Sequence, residues 1–140
     1  MPTIIMDPCN YTRAGLISYM TTKGIKSKNI TPVNGIDRLQ TCCQQLHPGV
    51  VFINEDCFIN EPEASQRIRN AIGQNPDTLF FIFMAISNSH FEEYLYVRKN
   101  LIITSKSIKP ATLDHLLGTS FQQRLNSVSR HSSGKAVHPL

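Results

Sequence analysis

The sequence predicts an α/β fold built on a five-stranded, parallel, doubly wound sheet. Three observations carry that prediction. Short β-type runs alternate along the chain with segments of helical period. Two of the runs, VVFIN at 50–54 and LFFIFMAI at 79–86, show no polar alternation, as strands do when a parallel sheet buries both their faces. The chain has 140 residues, of which 41% are hydrophobic and 17% charged, enough for one core of ordinary size and too apolar for wholesale disorder.

The elements follow in order. PTIIM at 2–6 is the first strand, ended by Asp7-Pro8. Tyr11 to Gly24 reads as a helix, because Leu16, Ile17 and Met20 share a face and Gly24 provides a stop. A weaker strand over Asn29–Val33 leads to a helix at Gly35–Leu46, where Ile36, Leu39, Cys42, Cys43 and Leu46 recur at helical spacing. Pro48-Gly49 ends it, and VVFIN is the third strand. Glu61–Gln74 is a helix with Pro62 in its first turn. Asn75-Pro76-Asp77 turns into the fourth strand at Thr78–Ala85. His90–Asn100 is expected to be helical, LIITS at 101–105 to be the fifth strand, and Ala111–Leu125 the closing helix. Five strands and five helices in strict alternation make one domain over 1–125. Residues 126–140, NSVSRHSSGKAVHPL, carry no apolar period and read as a flexible tail.

Charge is uneven. Residues 1–118 hold eleven Lys/Arg against ten acids, whereas 119–140 hold Arg124, Arg130 and Lys135 with no acid. The body is nearly neutral and the tail is basic. No apolar run approaches the roughly 18–20 residues that span a bilayer, and MPTIIMDP lacks the basic start and apolar stretch of a signal peptide. A cytoplasmic protein with no membrane association is expected. Cys9, Cys42, Cys43 and Cys57 fit neither a disulfide framework nor a C-x-x-C site; Cys42-Cys43 as a redox pair would need exposed, electropositive surroundings. Neither a metal nor a cofactor is expected.

Open parallel sheets bind ligands outside the carboxyl ends of their strands. Those positions hold Asp7, Asn54-Glu55-Asp56, Met84-Ala85 and Ser105-Lys106. Acids near two strand ends and a lysine near a third suit a metal or phosphate site, or they are solvated loop residues.

Several of these motifs resemble a known family. DPCNYTRAGL after the first strand, PGVVFIN across the third and TSKSIKPATLDHLL after the fifth resemble the receiver domains of response regulators, a flavodoxin-like (βα)5 fold. Taken with LFFIFMAI, SQRIRNAI and HFEEYLYVRKN, the chain is similar to the receiver-like half of the RcsA family, transcriptional coactivators of capsule synthesis in enteric bacteria. That resemblance implies an RcsB-like response regulator as heterodimer partner, Lon protease as a further one, and capsule and exopolysaccharide promoter DNA as a partner of full-length members only. The LuxR-type helix-turn-helix domain of such members is not found in this sequence.

The receiver resemblance also assigns a pocket. Receivers phosphorylate an Asp at the end of the third strand and hold magnesium with an acid pair after the first. Here Asp7 is the first acid, Pro8 stands at the second acidic position, Asn54 at the phosphoacceptor and Met84 at the hydroxyl position, while Lys106 is retained. An amide cannot form an acyl phosphate, and Met does not donate to a phosphoryl oxygen. The expectation is a receiver shape without catalysis. Glu55 either enters the pocket as a permanent carboxylate paired with Lys106, imitating phosphoryl charge, or is a surface acid of the following loop. The alternative reading is a small magnesium-dependent phosphotransfer or hydrolytic enzyme using Asp7, Glu55 or Asp56 with Lys106. Finally, the resemblance implies pairing through the fourth helix, fifth strand and fifth helix, a face comprising Phe91, Tyr94, Leu95, Val97, Arg98, Lys99, Ile108, Lys109 and Leu113.

Overall fold

The computed structural model describes residues 1–85 and 93–118. The centre of a parallel sheet is covered on both faces, and the strand order reflects this. Six strands line up as β2-β1-β3-β4-β6-β5, with β1 Thr3–Met6, β2 Ile30–Val33, β3 Val50–Asn54, β4 Leu79–Met84, β5 Tyr94–Arg98 and β6 Leu101–Ser105. The first four and β6 are mutually parallel. Every residue of β3 is buried, as are the first five of β4, which is why these two runs show no polar alternation.

Three helices connect the parallel strands: α1 Asn10–Thr22, α2 Ile36–Leu46 and α3 Pro62–Gln74. Leu39, Cys42 and Cys43 of α2 and Ile68 and Ile72 of α3 share one core with Ile4, Met6, Val51, Ile53, Phe80 and Ile82 of the sheet. The alternate strand residues, among them Phe52, Phe81 and Phe83, face the other way. Phe52 packs on Phe81 and Phe83 with ring centroids 5.3 and 5.9 Å apart. Leu16 and Met20, the buried residues of α1, lie outside the α2–α3 core. The helix ends obey local chemistry. Gly24 takes a φ of +90° just past α1, a conformation that a Cβ would disfavour, and Pro62 opens α3 where its missing N–H costs nothing. His47 ends α2 at φ +46°.

One predicted element is different. Residues 94–98, expected within a fourth helix over His90–Asn100, form the antiparallel edge strand β5, paired with β6. The sheet therefore has six strands, and the alternation of five strands with five helices breaks here. Tyr-Leu-Tyr-Val is aromatic and β-branched, a composition that fits a half-covered pleated surface better than a helix. The two-residue turn Lys99-Asn100 closes the hairpin, and Asn100 anchors it. The buried Asn100 side chain donates to the carbonyls of Ile72 (2.9 Å) and Asn75 (3.0 Å) at the end of α3, a second donor for acceptors that also take the N–H groups of Asn75 and Thr78.

Met1–Lys106 is one compact unit, and a second begins at Ser107. Its described residues are helical over 110–118 and bury Leu113, Leu116 and Leu117. The remainder of the expected closing helix to Leu125, and the tail over 126–140, lie outside the described residues. Among those described, no helix is long and apolar enough to cross a membrane.

Asn100→Ala is expected to lower stability by about 2 kcal/mol, the cost of two lost buried hydrogen bonds. Urea unfolding followed by circular dichroism checks this, with an unchanged dependence on denaturant.

Candidate functional site

Strand neighbours β1, β3, β4 and β6 end side by side, so their C-terminal residues form a single cluster. Met6 is in register with Ile53, Asn54 with Phe83, and Met84 with Ser105. The structure thus gathers Asp7, Asn54, Glu55, Met84 and Lys106 at one edge of the sheet, while Pro8 is exposed beside them.

Asp7 is buried, and neutral donors occupy both its oxygens. The Cys9 N–H donates to Oδ1 at 2.9 Å and the Asn54 amide to Oδ2 at 3.2 Å. Arg13 reaches the same residue but donates to its backbone carbonyl, at 2.6 Å. Asn54 is used at both ends, since its Oδ1 accepts the N–H of Asp56 at 2.9 Å. One buried amide therefore ties the end of β1 to the 3-10 turn Glu55–Cys57 that follows β3.

Glu55 is 4% exposed, which removes the surface-loop reading. Its Oε1 accepts the backbone N–H of Ala85 at 2.7 Å, bridging the ends of β3 and β4. Its expected pairing with Lys106 is corrected: Lys106 Nζ lies 3.2 Å from Asp56 Oδ2 instead. That pair is largely open to solvent, so it holds little energy. The 3-10 turn explains the exchange, because it sends Glu55 inward and Asp56 outward. Met84 offers its backbone carbonyl to the Lys106 N–H at 3.1 Å and brings no hydroxyl. Among the described residues, no three His, Cys, Asp or Glu side chains gather as a metal site would require.

Two thiols flank this edge with opposite character. Cys9, exposed at the N-cap of α1, is lowered from the ordinary thiol range, chiefly by hydrogen bonding from the Thr12 hydroxyl and then from the N–H groups of Thr12 and Tyr11. Cys57 is pushed up to about 11 by burial, with the charges of Asp7 and Asp56 adding to it. Cys43 is likewise raised to about 11 by burial and by its neighbour Cys42. Both thiols of the Cys42-Cys43 pair are buried in α2, which sets them in the core and not at a redox surface.

The candidate pairing residues are scattered differently from expectation, because the fourth helix that was to carry several of them is a strand. Tyr94 is half-buried on β5, while Leu95, Val97, Arg98 and Lys99 are exposed. Ile108 is half-buried and Lys109 exposed; Leu113, at 5% exposure, is corrected to a buried residue. Phe91 lies outside the described residues. Tyr96, 48% exposed on the same strand, was missed, and the period-2 reading of Tyr-Leu-Tyr-Val would have found it.

The fold and this edge define a receiver-like α/β domain in which the amide of Asn54 stands beside the first acid. A solved structure described as a two-component transcriptional regulator AraC from Clostridium phytofermentans matches with a TM-score of 0.66 at 17% identity, covering 93% of this chain and 98% of that one, which shows the fold. The chain belongs to the family described as the N-terminal dimerisation domain of the transcriptional regulator RcsA, whose sequence pattern matches residues 2–129. It is 70% identical over 140 residues to the transcriptional regulatory protein RcsA of Pantoea stewartii subsp. stewartii and 68% identical to that of Erwinia amylovora, covering 100% of this chain and 66% of each relative. The Salmonella typhimurium RcsA is 58% identical over 118 residues, 84% of this chain and 57% of that relative. The chain thus spans at most about two thirds of the length of these relatives. Both longer alignments run through the basic tail.

Two outcomes are expected. Asn54→Asp would set a second carboxylate against the buried Asp7, lowering stability at neutral pH by on the order of 2 kcal/mol; thermal unfolding with and without millimolar magnesium should show the ion restoring part of the loss. In the native protein at pH 7.5, iodoacetamide should label Cys9 first and leave Cys43 and Cys57 unmodified, as mass spectrometry of timed digests would show.

Proposed function

We propose that this chain is a non-phosphorylatable, receiver-like pairing module of a transcriptional coactivator, without enzymatic activity of its own. The observation that carries the proposal is the arrangement of Asn54 and Glu55. The phosphoacceptor position holds an amide already spent on Asp7 and Asp56. The adjacent carboxylate is buried and bound to the backbone at the end of β4, within the region that a phosphoryl group on residue 54 would occupy. Covalent structure supplies there the charge that phosphorylation would otherwise bring. The magnesium-dependent alternative needs convergent acids free to hold an ion, whereas Asp7, Glu55 and Asp56 each already have a partner.

Membership of a family of dimerisation domains supports function through a surface. The partner we assign is an RcsB-like response regulator, and the joint activity is activation of capsule and exopolysaccharide genes in the cytoplasm. Promoter DNA is a partner of the full-length protein, and Lon protease would control its lifetime. Of the candidate residues, Leu95, Val97, Arg98, Lys99 and Lys109 have the exposure that pairing requires.

Size-exclusion chromatography with light scattering, on this chain mixed with purified RcsB, tests the reading. A mixed complex should form, and this chain should take up no phosphate from acetyl phosphate and magnesium. Glu55→Ala should weaken the complex about tenfold if the pocket charge supports pairing. Magnesium-dependent phosphorylation of this chain together with no complex would refute the proposal.

A further inference from the structure

Buried amides organise the pocket and the β5–β6 turn, but Asn34 stands apart from both. It joins β2 to α2, is exposed, and is the one asparagine of the chain that a glycine follows. Among the described residues, neither the Asn34 side chain nor the Gly35 N–H has a hydrogen-bond partner. Gly35 is extended, at φ −167° and ψ 165°, and a Cβ on it would meet no atom within 4 Å. The nitrogen next to the Asn34 amide is therefore unhindered and unengaged.

Other asparagines lack this combination. Asn60 is exposed as well, but the N–H that follows it, that of Glu61, donates to the Phe58 carbonyl at 3.0 Å. Asn29 precedes Ile30, whose N–H is held by the Ser27 carbonyl. Asn75 precedes a proline, which has no N–H. The amides of Asn54 and Asn100 are buried and bonded.

We propose that Asn34 is a deamidation site of the folded chain. The Gly35 nitrogen gives its proton to water or hydroxide and bonds to the Asn34 Cγ, closing a five-membered ring. The Cγ–Nδ2 bond breaks, and ammonia leaves after taking a proton from water. A water molecule then opens the succinimide. Opening at Cγ gives aspartate; opening at the backbone carbonyl gives isoaspartate, whose main chain runs through Cβ and is one methylene longer. The sum is amide hydrolysis, with one water consumed and one ammonia released.

Either product brings a carboxylate to the residue before the N-cap of α2. That helix has no side-chain cap, and Asp37 is the acid of its first turn, so negative charge there is favourable. The longer backbone of isoaspartate is not. The Gly35 carbonyl accepts the first α2 bond, from the N–H of the fully buried Leu39 at 3.0 Å, and displacing it loosens the start of the helix. The domain thus passes with age from one neutral form to two charged ones that differ in the hold on α2.

Incubation of the folded full chain in warm, mildly alkaline buffer, followed by tandem mass spectrometry of its peptides, tests the proposal. The peptide holding Asn34 should be the first to show the mass of an amide turned acid, in two chromatographic products. One should accept a methyl group from S-adenosylmethionine in the presence of a protein isoaspartyl methyltransferase; the other should coelute with the same peptide of an Asn34→Asp variant. Gly35→Ala, which the extended backbone and the open space both allow, should slow the loss of ammonia about tenfold by crowding the attacking nitrogen, with an unchanged circular dichroism spectrum. An Asn34 peptide that changes only after urea has unfolded the chain, that changes no sooner than the peptide of Asn60, or that changes equally fast after Gly35→Ala would overturn the proposal.

Discussion

The Asn54 side chain holds the functional edge of the sheet together. A carboxylate as deeply buried as Asp7 needs donors, and the amide provides one while its carbonyl oxygen orders the start of the 3-10 turn. The turn then decides which acid faces inward. Glu55 goes to the Ala85 N–H, and Asp56 goes out to Lys106. Three connections, after β1, β3 and β4, are fixed through this one neutral group. A carboxylate in its place could not make the same bonds, since it has no hydrogen to donate.

A second amide does comparable work at the opposite side of the sheet's rim. Asn100 saturates carbonyls at the end of α3 and so fixes where the β5–β6 turn sits. The strand β6 is held by β4 through parallel pairing, but β5 has only β6 and its turn. The exposed edge is consequently well positioned although little of it is buried.

Much of this was legible in the residues. The parallel strands were found because burial on both faces removes polar alternation, and α2 and α3 because their apolar residues recur on one side. Legibility failed where a segment is only half covered. HFEEYLYVRKN contains charges and aromatics in a mixture that suits an amphipathic helix or an edge strand, and only the turn at Lys99-Asn100, pinned from a distance by α3, decides between them. The pocket divided in the same way. Asp7, Asn54, Met84 and Lys106 were located from strand ends alone. Which of Glu55 and Asp56 turned inward depended on a hydrogen bond to Asn54 that no spacing encodes.

The β5–β6 hairpin also bears on how the chain folds. Every parallel pair in the sheet must bring together strands separated by a full crossover, and closing those loops costs entropy before any contact repays it. Tyr94–Arg98 and Leu101–Ser105 are joined by two residues, so their pairing is local and fast. A lone hairpin is marginal in water, and it acquires permanence only on meeting β4. Local pairing favours a route in which the last parallel strand enters the sheet already carrying its neighbour.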